Sequence, residues 1–170
     1  MLWQMLEVDS VGVYCGSVSS LALAAAATDI WELRAGTGVR VCLIDLIVSG
    51  IATAAGASVL QLVSRSTQDT GGTSADVVPK PLVPGATACV SVIRSYTANP
   101  SVGTLVATYW SGRLILPTAL AASAVLATQT VSSFAKPWIR AGQSFSLNLA
   151  GVTIAGGSLD ISCAFAEFPS

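Results

Sequence analysis

The sequence predicts an all-β protein, an antiparallel β-sandwich. Three observations carry that prediction. Apolar residues alternate with polar ones at a period of two in one segment after another, the spacing of strands that turn one side chain in and the next out. Those segments are rich in β-branched residues, and short clusters containing Gly or Pro separate them. At 170 residues the chain is long enough to bury a real core as one domain.

The strands follow in order. "DIWELR" (29–34) sets Trp31 and Leu33 on one side and Ile30, Glu32 and Arg34 on the other. "GVRVCLIDLIVS" (38–49) is apolar on both sides apart from Arg40 and Asp45, which predicts a strand covered on both faces or by a neighbouring subunit. "SVLQLVSRS" (58–66) places Leu60 and Leu62 opposite Gln61 and Arg65. "TACVSVIRSYT" (87–97) and "TLVATYW" (104–110) are β-branched and alternating. "QSFSLNLAG" (143–151) sends Phe145, Leu147 and Leu149 in and Ser144, Ser146 and Asn148 out. "SLDISCAFAEF" (158–168) lines up Leu159, Ile161, Cys163 and Phe165. The turns read as "AGTG" (35–38), "NPSVG" (99–103), "RAGQ" (140–143) and "AGG" (155–157). Two stretches are ambiguous. The alanines of 22–27 are read as strand from their neighbours. "TALAASAVLAT" (118–128) has helical propensity and is read as a loop with one short element. About eight strands in two sheets, jelly-roll-like, fit the length.

A connector, 67–86, divides the domain 11–170. It contains "TGGTSADVVPKPLVPG", where Pro79, Pro81 and Pro84 withhold ladder donors and favour extended backbone. A structureless stretch of that length is uncommon inside a compact domain, so it is expected to be functional or to lie along another subunit. Ahead of the domain, residues 1–10 form an N-terminal arm whose Leu2, Trp3, Met5 and Leu6 are apolar. The arm is expected to lie on a partner subunit. With Pro79, Pro81, Leu82 and Pro84, these four residues are the candidate partner interface.

Charge is scarce. Lys and Arg number eight and Asp and Glu nine, 10% of the chain, against roughly 25% in globular domains. A monomer of this size exposes roughly 7,800 Å², or about one charge per 450 Å². Such a surface cannot avoid apolar patches, which predicts an obligate assembly. Mean hydropathy is +0.70. Yet 11–28 is broken by Gly12, Gly16 and polar residues, and 39–57 carries Arg40 and Asp45, so no membrane span is expected. The first ten residues hold Glu7 and Asp9 and no Lys or Arg, unlike a secretory n-region, which leads us to expect synthesis in the cytoplasm without a targeting signal. The cations are scattered, with no footprint for nucleic acid.

Catalytic chemistry finds little support. The chain has no histidine, so Ser–His–Asp and Cys–His nucleophiles are impossible within it. Cys15, Cys42, Cys89 and Cys163 form no CxxC and are expected to be reduced thiols acting as small hydrophobes. No metal or cofactor is expected. "AGTGVR" and "DTGGTS" are read as glycine turns, not phosphate or protease motifs. Asp45 and Asp160 are the carboxylate pair to watch, since both lie in predicted strands and two carboxylates could act on a glycosidic bond. Trp3, Trp31, Trp110 and Trp138 are expected to anchor the core or an interface. A carbohydrate platform would need Trp110 and Trp138 grouped.

The order of these segments, "DIWEL", "VRVCLIDLIVS", "TGGTS…VVPKPLVPG", "SYTANPS", "PWIRAGQSFSLNL" and "LDISCAFAEF", resembles a family of small structural virion proteins of tailed bacteriophages over roughly 11–168. The match at the connector rests on Pro79, Pro81, Leu82, Pro84 and Gly85. The resemblance implies a β-sandwich subunit of a phage particle, most simply a capsid decoration or cement protein. Such a protein is a homotrimer that bridges major capsid subunits on the virion surface, assembled in the host bacterial cytoplasm. It implies no enzyme activity. A tail, neck or baseplate component, or a receptor-binding fibre or spike module, remains the alternative. The arm at 1–10 departs from the family pattern.

Overall fold

The computed structural model describes residues 12–23, 28–54, 56–118, 125–130, 137–151 and 153–170. Among them the chain forms β-strands and no helix. The strands are β1 (Gly12–Ala22), β2 (Asp29–Arg34), β3 (Val39–Ala52), β4 (Gly56–Arg65), β5 (Ser74–Val77), β6 (Lys80–Pro81), β7 (Val92–Tyr96), β8 (Leu105–Leu116), β9 (Val125–Thr130), β10 (Trp138–Arg140), β11 (Ser144–Leu149) and β12 (Gly157–Pro169). Two antiparallel sheets face each other, as the alternation predicts. Sheet A runs β10-β3-β12-β1-β6, with β9 also on β3; sheet B runs β5-β7-β2-β11-β4-β8.

There are twelve strands among the described residues where about eight were expected. Two of the extra ones lie in the connector. Ser74–Val77 pairs with β7 at the edge of sheet B, and Lys80–Pro81 pairs with β1 at the edge of sheet A. The connector therefore passes from one sheet to the other and closes one side of the sandwich. Pro81 is at the end of an edge strand, where a missing N–H costs no ladder bond. The alanine-rich ambiguity resolves in part: Val125–Thr130 is a strand on β3. The rest of that stretch, the run 24–27 and the N-terminal arm lie outside the described residues.

The pairings nest. β1 lies on β12, β2 on β11, β3 on β9 and β10, and β4 on β8. Between the sheets sits one core, with Trp31, Phe145 and Phe165 its largest aromatics and Leu33, Leu43, Leu60, Leu147, Leu159 and Ile161 fully buried. The alternation of β12 holds as read, since Leu159, Ile161, Cys163 and Phe165 all point inward.

β1 bends where its register against β12 shifts between Val18 and Leu21. Ser20 there has a φ of 54°, a left-handed conformation rare for a residue with a Cβ. Its amide donates to Asp160 Oδ1 at 2.8 Å, which satisfies a donor the bulge takes out of the ladder.

Candidate interaction surface

β3 reads as apolar on both sides because its two sides meet different surroundings. Val41, Leu43, Leu46 and Val48 enter the core. Ile47 and Ile51 point the other way and remain 39% and 40% exposed. The register across sheet A shows what surrounds them. Ile47 stands in a row with Ser162 and Ser17, Asp45 with Ala164 and Cys15, and Ile51 with Ser158 and Ala22. The outer face of this sheet is thus paved with small side chains from which two isoleucines project. Small side chains there leave room for another surface to approach the two isoleucines.

Large apolar side chains are exposed elsewhere too. Val78, Leu82 and Val83 project from the connector. Leu105, Val106, Tyr109 and Ile115 project from β8, the free edge of sheet B. β8 has no Lys or Pro to guard that edge, and Arg113 is its one charge, although two register shifts against β4 bend its first half. Trp138 is 47% exposed, with Phe168 at 4.8 Å between ring centroids and Arg40 at 5.8 Å. Trp110 is half-buried against the core. The two tryptophans belong to strands of different sheets, β8 and β10, and do not form one ring platform.

The predicted interface residues fall as follows. Pro79 is buried within its own chain, Pro81 is half-buried opposite Tyr14, and Leu82 and Pro84 are exposed. Leu2, Trp3, Met5 and Leu6 lie outside the described residues. The connector is tied to its own sandwich. The Leu82 amide donates to Val13 O at 2.9 Å, and Tyr14 Oη donates to Thr87 O at 3.0 Å. Glu167 on β12 is buried and takes the Ser91 amide at 2.8 Å, the Val90 amide at 3.3 Å and the Cys89 thiol at 3.1 Å. Burial, then the hydrogen bond to Glu167, pushes the Cys89 thiol pKa far up, so it stays protonated. A cleft of about 370 Å³ opens beside this anchor, between the start of β1, Ala86–Thr87 and Phe168.

Asp45 and Asp160 are not brought together. Asp45 stands opposite Ala164, four residues along β12 from Asp160, which is about 13 Å at 3.3 Å per residue. That exceeds the separation of either glycosidase geometry. Asp45 Oδ1 instead accepts from the Leu46 amide at 2.9 Å, and Asp160 holds the Ser20 bulge. The four cysteines are in no disulfide, Cys42 and Cys163 buried and Cys15 and Cys89 half-buried.

More than a quarter of the charged residues are withdrawn from the surface, which alternation does not reveal. Asp29, Glu32, Arg65, Asp69 and Glu167 are all buried. Three of them, Asp29, Glu32 and Arg65, lie on the outer face of sheet B beside Ser144 and Ser146, which the alternation sends outward and which are nonetheless fully buried, and Asp69 meets them from the segment above. Chain segments 66–73 and 97–104 roof that face. They are stitched together by the Thr70–Ser101 bridge, by Ser66 N to Thr104 O at 2.9 Å and by Thr97 N to Thr73 O at 2.9 Å. Beneath them Arg65 clasps Asp29 through Nε and Nη2, both at 2.7 Å, and Asn148 adds a third bond at 2.6 Å. Glu32 accepts from Arg34 Nε at 2.6 Å, Tyr96 Oη at 2.9 Å and the Asp69 amide at 3.0 Å. Asp69 Oδ1 accepts from the Gly103 amide at 2.8 Å, whereas Oδ2 is buried with no partner. Burial pushes the Asp69 carboxyl up to about 7; the Gly103 amide opposes the rise, and the charges of Asp29 and Glu32 add to it.

Compared with known proteins, the chain matches no protein-family model, no curated protein and no solved structure.

Proposed function

We propose that this chain is a non-enzymatic structural subunit of a tailed-bacteriophage virion, a capsid decoration or cement protein. It bridges major capsid subunits on the particle surface as a homo-oligomer, most simply a trimer. The observation that carries the reading is the inversion of an ordinary surface. Five charged residues are withdrawn into the protein, while twelve large apolar side chains, from Ile47 at 39% to Val83 at 63%, stand exposed among the described residues. Ten of them occupy the outer face of sheet A, the connector and the free edge of sheet B, and Val90 and Val102 lie just ahead of β7 and β8, so more than one side calls for cover. The nested strand pairing supports the finer reading of the sandwich as a jelly roll.

The mechanism is burial of area. Each large aliphatic side chain removed from water contributes about 1.5–3 kcal/mol, less the costs of association. Repeated at symmetry-related positions, modest contacts add by multivalency. Such an interface tolerates salt, because few charges cross it. A tail, neck or baseplate ring uses the same physics and is the alternative reading. Copy number in purified particles, measured against the major capsid protein, separates them. A ratio between one to one and one to a few supports a lattice-wide cement protein. A dozen or so copies per particle moves it to the neck, tail or fibre, and absence from particles overturns the virion reading.

A further inference from the structure

We propose that the roof over the outer face of sheet B, segments 66–73 and 97–104, is held shut by a single proton shared between Asp69 and Asp29, which makes it a pH-operated latch.

The inference starts from a count of charges. The layer beneath the roof holds three carboxyl groups, Asp29 and Glu32 from β2 and Asp69 from the roof itself. It holds two guanidinium groups, Arg34 from β2 and Arg65 from β4. Tyr96 from β7 and Asn148 from β11 complete it as neutral partners. Arg94, the next cation along β7, is already paired with Asp76 at the rim. Both interior guanidiniums are committed, Arg65 to Asp29 and Arg34 to Glu32. With all three carboxyls ionised, one negative charge would be buried without a counter-ion, which a protein interior disfavours strongly. One proton removes the excess.

The geometry says where that proton sits. Asp69 is 1% exposed and its Oδ2 has no partner, while its amide on Glu32 and its carbonyl on Arg34 seat it over the layer in which Arg65 holds Asp29. Two carboxylates in one buried layer repel; a carboxyl and a carboxylate can share a hydrogen bond. Protonated at Oδ2, Asp69 donates to Asp29 and still accepts the Gly103 amide at Oδ1. Asp69 thereby ties its own segment to β2 and ties the opposite segment, through Gly103, to itself. Arg65 Nη1, on Gly103 O at 2.9 Å, and Arg34 Nη2, on Asp69 O, add two further ties to the same two residues. Loss of the proton puts two like charges at the junction of both segments. The elevated titration of Asp69 supports the same assignment. The closed roof is the protonated state, and rising pH loosens it.

The test uses the full-length chain and two readouts. A carbon-detected titration of the Asp69 side-chain carboxyl should show a midpoint near 7. Amide exchange at Asp69, Ser101 and Gly103, corrected for the intrinsic pH dependence, should lose at least tenfold in protection between pH 5.5 and 8.5. Core amides of β12 should keep theirs. In Asp69→Asn the amide nitrogen donates to Asp29 and the oxygen still accepts from Gly103, so protection at Ser101 and Gly103 should become independent of pH. A midpoint near 4 overturns the shared proton. A midpoint near 7 with unchanged exchange overturns the latch. Should Asp69→Asn fail to fold, the titration and exchange of the unaltered chain decide the matter alone.

Discussion

Arg65 and Asp29 meet through two parallel hydrogen bonds of 2.7 Å, both residues buried on the outer face of sheet B. They lie on strands that are not neighbours, since β11 runs between β2 and β4. The pair therefore spans the sheet from above, and the hydrogen bond to Asp29 holds Arg65 all the more firmly in its charged form. Removing one partner leaves the other as a bare buried charge. Arg65→Met should lose about 3–5 kcal/mol in urea unfolding. The double variant Arg65→Met with Asp29→Leu should lose less than the single one, because the stranded charge is gone.

The Asp69 proton makes stability depend on pH with a definite sign. The folded pKa, about 7, stands above the usual carboxylate value of 3.8. The folded state therefore binds the proton more tightly than the unfolded one. The stabilisation it brings is complete below the unfolded pKa and is lost as pH rises through the folded one. Thermal unfolding should shift down by roughly 4–8 °C between pH 5.5 and 8. Asp69→Asn should abolish that slope.

Gly103 is where the roof comes closest to itself. A Cβ there would stand 2.0 Å from the carbonyl oxygen of Thr67, a backbone atom that cannot swing aside. Gly38 is the contrasting case, with a φ of 77° and open space around a Cβ. Gly38→Ala should cost about 1–2 kcal/mol through its left-handed backbone alone. Gly103→Ala should cost more than that and should raise amide exchange at Ser101, which separates a forced roof from a strained turn.

Substitutions on the exposed apolar face should act on association and not on the fold. Ile47→Glu and Leu105→Glu alter side chains that are 39% and 54% exposed. Their effect on urea unfolding of the isolated subunit should stay below about 1 kcal/mol. Their effect on subunit association, read by light scattering, should be large.

Much of this architecture is legible in the sequence. The inward rows of β11 and β12 follow from a period of two, because Phe145, Leu147 and Leu149, and Leu159, Ile161 and Phe165, all face one core. What alternation cannot supply is the environment of the other face. Ser144 and Ser146 read as solvent-facing, and a roof built from residues 40 to 80 positions away covers them. Alternation sets Arg65 on the outward side of its strand, but that it meets Asp29 depends on register across an intervening strand. Conversely, β3 reads as covered on both sides although Ile47 and Ile51 are open in the single chain. On the proposed reading, a second subunit covers that face. The connector reads as structureless because Pro79, Pro81 and Pro84 punctuate it, although Ser74–Val77 pairs ahead of them and Lys80–Pro81 pairs among them. The proximity of Asp45 and Asp160 depends on register, which alternation does not carry.

The mass of the full-length chain in solution tests the central claim most directly. Sedimentation velocity at micromolar concentration, run at low and at high salt, should give a single assembly of several subunits, unchanged by salt. A monodisperse species at 17.2 kDa would contradict the reading of the exposed apolar surface as a subunit interface.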